Sequence, residues 1–544
     1  MPVVRIELPR FVKMVGADRE RILERLPYLG LDIESVSEGS VRVEYSPNRP
    51  DFGTDIGIAR AMRGLLGKEL GLPSYATYAS GIAVSVDTKL SKVRPFIASV
   101  VARGLNLDEE DVRQMISLQE DLHNGLGRKR KVIAIGLHDM DAVKPPLAYK
   151  AVDSSFRFVP LGAQRTKSLR EILSDTPEGK AYGPILGTSG IYPVIVDSLG
   201  TVLSFPPVIN GHATRVTPAT RTMFVDVTGT DRRTCDDVLA IVATTLAEAG
   251  AKLGFVVVGQ EGSRRTTPDL TPSVLRLDKN LVRSSLGLPL SDREIGQCLR
   301  RCRLAVRGNK VIGPRYRVDL LHPVDLAEEV ALGYGINRLS PIYPPSNQPG
   351  SFNAFEEFLD SAATVLSGAG MIEMMTFELV DEKSLYSNFG RPTADRISVH
   401  DPRSLDHSVL RDSLLPTLMG GLSSNAGAEY PQLVFEVGRV YARKEDSVSE
   451  SWQLCALIAH SRAGFSEAKM HLEAAIRTLA GKEVATRPGR HWAFAEGRSA
   501  QVLSGERGLG YVGEVKPEAL AAFGLKVPVS GFEINLSSLH ELLK

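Results

Sequence analysis

Cysteine is scarce. Four residues, Cys235, Cys298, Cys302 and Cys455, stand in 544, too few and too scattered for a disulfide framework, and no Cys-x-x-Cys pair occurs to seed a zinc or redox site. Cys298 and Cys302 share a helical face at i, i+4 spacing and are expected as buried apolar thiols. No run of roughly 18 continuous apolar residues is present, and the opening Met1-Pro2-Val3-Val4-Arg5-Ile6-Glu7 carries charges where a secretory leader has its apolar core. A cytoplasmic chain with no membrane span is therefore expected. A surplus of either charge is missing as well: 65 Lys and Arg face 64 Asp and Glu, which excludes the whole-molecule positive field of a nucleic-acid coat protein. Any RNA must be held locally. Internal repeats and low-complexity tracts are also lacking, which excludes solenoids and propellers.

What is present is ordinary globular composition, 43% hydrophobic and 24% charged, with 49 Gly and 32 Pro spread along the chain. A chain of this length exceeds one core and divides into several domains. Patterning predicts an α+β multidomain protein in four parts. Residues 1–90 read as a small N-terminal α+β domain, with strands near Val3–Leu8 and Val41–Tyr45, a rigid Ser46-Pro47-Asn48-Arg49-Pro50-Asp51 turn, and a boundary in the Gly-, Pro- and Ser-rich stretch 70–92. Residues 91–265 mix short strands with helices, and the polar Glu261–Pro268 reads as a linker. Residues 270–345 form a further small part, reading helix, helix, strand, helix from Leu275 to Leu339, and Pro341, Pro344, Pro345 and Pro349 mark the next boundary. Residues 350–544 open on a helix and continue as a large antiparallel-sheet domain. The densest basic run, Arg128-Lys129-Arg130-Lys131, precedes the apolar Val132–Ile135 and reads as a solvated strand entrance rather than a phosphate site.

Three passages carry chemistry. On a helix, Asp325, Glu328 and Glu329 at i, i+3 and i+4 share one face, and Asp319 lies just before, on an expected strand. Converging carboxylates repel one another unless a hard ion such as Mg²⁺ sits among them. A solvated helix start, with Asp325 as N-cap and Glu328 closing a capping box, explains the same spacing equally well. The second passage is Leu203-Ser204-Phe205-Pro206-Pro207-Val208-Ile209-Asn210 with Asp226-Val227-Thr228-Gly229-Thr230-Asp231. Few polar groups on apolar strands beside prolines suit a small-molecule pocket, although Gly229-Thr230-Asp231 also reads as a turn and helix cap. In the third, Arg411 and Glu436 form either a phosphate clamp or a structural ion pair.

In this order, Ser46–Asp51, Ile135-Gly136-Leu137-His138-Asp139, Ser204–Pro207, Asp226–Asp231, Tyr316-Arg317-Val318-Asp319 with Asp325–Val330, and Arg411–Pro416 resemble the β subunit of phenylalanyl-tRNA synthetase over nearly the whole chain. The resemblance implies a class II ligase acting as an α₂β₂ heterotetramer, in which the α subunit binds ATP, phenylalanine and the acceptor end of tRNA(Phe). It implies a winged-helix-like metal-binding domain at 270–345, with Mg²⁺ on Asp319, Asp325, Glu328 and Glu329. The part from 350 to 544 is implied to be a catalytically inert synthetase-like domain, and no Gly-x-Gly-x-Gly-x-x-Arg is found there to hold ATP. The missing oligonucleotide-binding insertion and C-terminal anticodon domain suggest the shorter archaeal/eukaryotic type. Residues 91–265 are implied to be an editing domain that hydrolyses mischarged tyrosyl-tRNA(Phe). Ser204, Asp226 and Thr228 are its expected catalytic groups, and Leu203 and Asn210 its substrate contacts. A structural scaffold with a degenerate pocket and a stand-alone deacylase are the alternatives.

Overall fold

The computed structural model describes residues 1–544 apart from 261, 345, 347, 446 and 544. Glu261 of the expected linker and Pro345 of the expected proline boundary lie outside the described residues. The chain divides into two compact units, Met1–Tyr343 and Pro344–Lys544, each mixed α/β and built around sheets.

The first unit opens with an antiparallel sheet of Val3–Glu7, Ser40–Tyr45 and Leu31–Val36, in that spatial order. Alternation turns Val4, Ile6, Val41 and Val43 inward, onto Leu8, Phe11 and Val15 of the helix Leu8–Val15 and onto Ile58 and Met62 of Asp55–Leu65. Thr54 starts the latter helix by accepting from the Gly57 N–H at 3.1 Å.

The largest sheet has ten strands among the described residues. It runs Ile209–Asn210, Val202–Phe205, Tyr192–Val196, Leu147–Val152, Thr77–Val86, Lys252–Gln260, Phe96–Arg103, Thr222–Gly229, Ile133–Asp139, with Ser263–Thr267 paired onto Lys252–Gln260. Phe96–Arg103 and Thr222–Gly229 are apolar on both faces because both are covered. On one side Val225 and Val227 meet the helices Glu109–Asn124 and Arg232–Glu248. On the other, Phe224 meets Tyr149 and Leu203.

Two sequence expectations are corrected here. Thr77–Val86, placed in the boundary stretch, is a strand of this sheet, parallel to both its neighbours. Ser263–Thr267, read as linker, is an edge strand. Arg265 is held on the Asp236 carboxylate at 2.8 Å and Thr267 Oγ1 on the Ser99 backbone at 2.7 and 2.9 Å. A polar edge strand has no apolar alternation to announce it.

Between Glu109–Asn124 and Ile133–Asp139 the chain makes a left-handed turn in which Arg128, Lys129 and Arg130 have φ of +47°, +56° and +65°. Each such non-glycine residue costs about 1 kcal/mol or more, and runs of them are uncommon. The turn is closed by Lys131 N–H to Arg128 O at 3.4 Å and Val132 N–H to Gly127 O at 2.9 Å.

Further along the first unit, the strands Ser273–Arg276, Lys310–Gly313 and Ala305–Arg307 carry the helices Lys279–Leu286, Asp292–Arg301 and Pro323–Tyr334 around Val282, Ile295, Leu299, Leu326 and Val330. The second unit is a seven-stranded sheet in the order Ile372–Glu373, Gln432–Lys444, Ser447–Ala459, Val529–Asn535, Arg507–Val515, Phe494–Ser504, Ala485–Pro488. All its pairings are antiparallel except the first. The helices Ala354–Gly368 and Phe465–Ala480 bury one face, and Leu415–Ser424 with Pro517–Ala522 the other. Among the described residues no helix is long and apolar enough to cross a membrane.

Candidate functional site

The ten-stranded sheet nearly meets itself. Ile133–Asp139 at one end and Val202–Asn210 at the other flank a cavity of about 360 Å³, whose third wall is the helix Glu109–Asn124. Ile116, Ala134, Leu161, Pro206, Val208 and Ile209 make it apolar; Ser204, Asn210, Asp226, Gln119, Glu120 and Arg130 place polar atoms on it.

Asp226 sits opposite Gly136 across the Thr222–Gly229 and Ile133–Asp139 ladder. That glycine is required by close approach: a Cβ there would stand 2.2 Å from Asp226 Oδ2 and 2.4 Å from His138 Nε2. His138 Nε2 lies 2.8 Å from Asp226 Oδ2, and its Nδ1 lies 2.9 Å from Thr214 Oγ1, so the imidazole holds the carboxylate while the hydroxyl holds the imidazole. All three are buried. Ser204 Oγ is also buried and has no hydrogen-bond partner among the described residues. An unpaired hydroxyl beside a buried carboxylate is costly unless a ligand or water completes it.

The polar rim is arranged differently. Arg130 donates to Glu120 Oε1 at 2.8 Å and to the carbonyls of Val208 and Pro207 at 3.1 and 3.3 Å, tying the left-handed turn to the far end of the sheet. Glu120 also accepts from His123 Nδ1, while His123 Nε2 accepts the Ile135 N–H at 2.8 Å; burial keeps this imidazole below its ordinary pKa and so neutral. The His123 hydrogen bond, working against partial burial and with the Arg130 charge, holds the Glu120 carboxyl down at about 2. Glu120 is therefore an anion with its charge already answered by an arginine, whereas Asp226 is buried with the His138 imidazole beside it.

Of the five pocket residues expected from sequence, Ser204, Asn210 and Asp226 come together on this cavity, and Leu203 and Thr228 do not. Leu203 and Ser204 are neighbours on one strand and point to opposite faces, so only one can line the cavity; Leu203 is fully buried among Phe224 and Tyr149. Thr228 shares the face of Asp226, but its hydroxyl accepts from buried Arg94 Nε at 3.0 Å, and Arg94 also donates to the Thr228 carbonyl at 2.8 Å. His138, Thr214, Glu120, Arg130 and Gly136 join the site from outside the sequence expectation. A histidine within an otherwise apolar strand was the one available signal, since the Glu120–Arg130 pair joins a helix to a turn that spacing does not reveal.

The four carboxylates expected to hold Mg²⁺ are not gathered into one cluster, and among the described residues no group of three or more His, Cys, Asp or Glu is placed to hold a metal ion. Arg317 is the reason. Its buried guanidinium forks onto Asp319 at 2.8 and 2.7 Å and onto Glu329 at 3.0 and 2.6 Å. Asp325 accepts the Leu321 and His322 N–H groups, both at 2.6 Å, at the start of Pro323–Tyr334, and Glu328 points to solvent. Asp319 lies in a turn rather than on the expected strand, and His322 rather than Asp325 is the N-cap. As arranged in this chain, the set does not fit a resident ion. The same region is stitched to the Ser46–Asp51 turn: Arg60 stacks on the Tyr316 ring at 3.5 Å and reaches Asp51 at 3.5 Å, and Asp51 is forked by Arg49 at 2.9 and 3.0 Å.

In the second unit a hollow is lined by Phe377, Trp452, Arg411 and Glu436. Arg411 is answered by Glu436 at 2.7 Å and Arg439 by Glu378 at 3.1 Å. The Arg411–Glu436 pair is thus an ion pair within the fold, and its charge is not left over for a phosphate.

Two family models match the chain, "Phenylalanyl tRNA synthetase beta chain CLM domain" over residues 340–536 and "tRNA synthetase B5 domain" over residues 275–336. Both describe parts of aminoacyl-tRNA synthetases, which sets the class. A phenylalanine--tRNA ligase beta subunit of Archaeoglobus fulgidus is 41% identical over 548 residues, covering 99% of this chain and 99% of the relative. One of Methanosarcina barkeri is 37% identical over 546 residues at the same coverage. A solved N-terminal fragment of the phenylalanyl-tRNA synthetase beta-subunit from Pyrococcus horikoshii is similar with a TM-score of 0.59 and 34% identity, covering 61% of this chain and 99% of the fragment. The chain belongs to the phenylalanine--tRNA ligase beta-subunit family, of the archaeal type, a component of a class II aminoacyl-tRNA synthetase.

Proposed function

We propose that this chain supports charging of tRNA(Phe) by an α partner in an α₂β₂ enzyme of the cytoplasm, and that its 360 Å³ cavity hydrolyses tyrosyl-tRNA(Phe) formed in error. The observation that carries the reading is the placement of Asp226, held by His138, on one cavity with Asn210 and with Ser204 Oγ, unpaired among the described residues, between apolar side chains and the Glu120–Arg130 rim. An apolar pocket for phenylalanine rejects tyrosine poorly, because the wrong substrate only adds a hydroxyl, so a second site must recognise that hydroxyl. Here Ser204 and Asn210 are the groups for the phenol, and Asp226 is the group to orient and deprotonate the attacking water. Thr228 supports from behind through Arg94, and Leu203 shapes the wall on which Ser204 is mounted.

The test is deacylation by the chain assembled with α. Tyrosyl-tRNA(Phe) should be cleared and phenylalanyl-tRNA(Phe) left intact; equal persistence of both would leave the cavity without this role. The isolated chain should give no pyrophosphate exchange with phenylalanine and ATP, since adenylate formation needs cations fixed on the phosphates and Arg411 is already paired.

The residues from 270 to 345 are proposed as the winged-helix-like, metal-associated domain and those from 350 to 544 as the inert synthetase-like domain. Mg²⁺ enters as a property of the assembled enzyme, because an ion on Asp319, Asp325, Glu328 and Glu329 requires release of two of them from Arg317. Metal analysis after gel filtration in Mg²⁺ should find well under one ion per isolated chain. Stoichiometric Mg²⁺ on the isolated chain, lost in the Asp325→Ala, Glu329→Ala variant, would show that Arg317 yields without the partner.

A further inference from the structure

The run Arg128-Lys129-Arg130-Lys131 is adjacent to the cavity, and its backbone is the most strained continuous segment near it. Arg130 alone of the four turns inward, onto Glu120 and the Val208 carbonyl. Arg128, Lys129 and Lys131 are exposed, and among the described residues none has a carboxylate within ion-pair distance. Three consecutive left-handed positions would be held most cheaply by glycine. Long cations at these positions, within two residues of the Arg130 side chain that lines the cavity, fit a requirement for positive charge at that place and not merely for a turn.

We propose that this left-handed turn is a phosphate clamp, in which Arg128, Lys129 and Lys131 hold the phosphodiester backbone of a nucleic acid whose aminoacylated end enters the cavity. The inference rests on the deacylase reading above and names the part of the substrate that the cavity itself cannot hold. A free amino acid or small ester offers such a clamp nothing. A polynucleotide offers a charge at each phosphate. The four arginines gathered elsewhere in the first unit, Arg21, Arg25, Arg301 and Arg338, do not make the same case. Arg25 and Arg301 end the helices Arg19–Arg25 and Asp292–Arg301, and Arg301 and Arg338 donate to the Gly333 and Tyr334 carbonyls at 2.9 and 3.2 Å at the end of Pro323–Tyr334, so helix C-termini already use charge in this group.

The experiment uses the α-assembled enzyme with the triple variant Arg128→Gln, Lys129→Gln, Lys131→Gln, and a second variant, Arg128→Gly with Lys129→Gly, which removes charge while suiting the left-handed backbone. Hydrolysis of tyrosyl-tRNA(Phe) and of 2′(3′)-O-tyrosyl-adenosine, which lacks a phosphodiester chain, is followed against salt. For the tRNA ester, KM should rise about tenfold in the triple variant at unchanged kcat, and the slope of log kcat/KM on log salt should become shallower by about 2, as expected for loss of about three phosphate contacts. The nucleoside ester should be cleaved equally by parent and variants. The glycine variant should unfold no earlier than the parent and still show the raised KM. Parent and variants with the same KM and salt slope for tRNA would overturn the clamp while leaving the deacylase reading intact. A parent that clears neither ester would overturn that reading and the clamp with it.

Discussion

Asp226→Ala, assembled with α, is expected to lose about 100-fold or more of its tyrosyl-tRNA(Phe) hydrolysis while phenylalanine charging stays within about twofold of the parent. The carboxylate is buried, lines the cavity and is held by the His138 imidazole, and its removal also leaves His138 Nε2 buried with no acceptor. Asp226→Asn keeps the shape and one acceptor oxygen, so it should fold like the parent and remain slow. That pair of variants separates chemistry from packing. Single-turnover deacylation is the measurement, and clearance by Asp226→Asn at the parent rate would move the water-activating role to another residue. Gly136→Ala should be nearly as damaging, because its methyl would occupy the space where the Asp226 and His138 atoms meet.

Arg317→Met should destabilise the first unit by about 3–5 kcal/mol, the cost of leaving buried carboxylates without their cation. Asp319 and Glu329 share one guanidinium through four hydrogen bonds, and Arg49 and Asp51 lie against the same cluster. Urea unfolding followed by a probe within residues 1–343 should show the midpoint falling. Adding Asp319→Asn and Glu329→Gln should recover most of the loss, since neutral amides need no counter-charge. A single variant as stable as the parent would mean that the carboxylates are served by something other than Arg317.

Alternation and short continuous apolar runs made much of the framework readable. Val41–Tyr45, Phe96–Ala102 and Phe224–Val227 are strands in the sequence pattern and in the structure alike. Thr77–Val86 was not readable, because its outer half alternates small and polar residues of the kind that also make linkers. The pocket was legible as far as residue type indicates a face: Ser204 and Asp226 were found, whereas Leu203 was chosen with Ser204 although adjacent strand residues diverge. The part played by Arg317 is not legible, because helical spacing groups Asp325, Glu328 and Glu329 but does not place a cation two residues before Asp319 between Asp319 and Glu329. The Glu120–Arg130 pair and the His138–Asp226 contact depend on where the two ends of a sheet approach each other, and no local pattern encodes that distance.

Asp51, Arg60, Tyr316 and Arg317, with the half-buried Arg49 on Asp51, form one group drawn from positions more than 250 residues apart. For the exchange of parts between related genes this sets a rule: a crossover anywhere between the Ser46–Asp51 turn and Tyr316 would combine two halves of a charge cluster selected in different backgrounds. Chimeras that keep residues 46–60 and 315–329 from one parent should be recovered folded far more often than those that split them. The heritable module here is therefore a discontinuous one, joined in space by a handful of side chains and invisible as a segment on the chain.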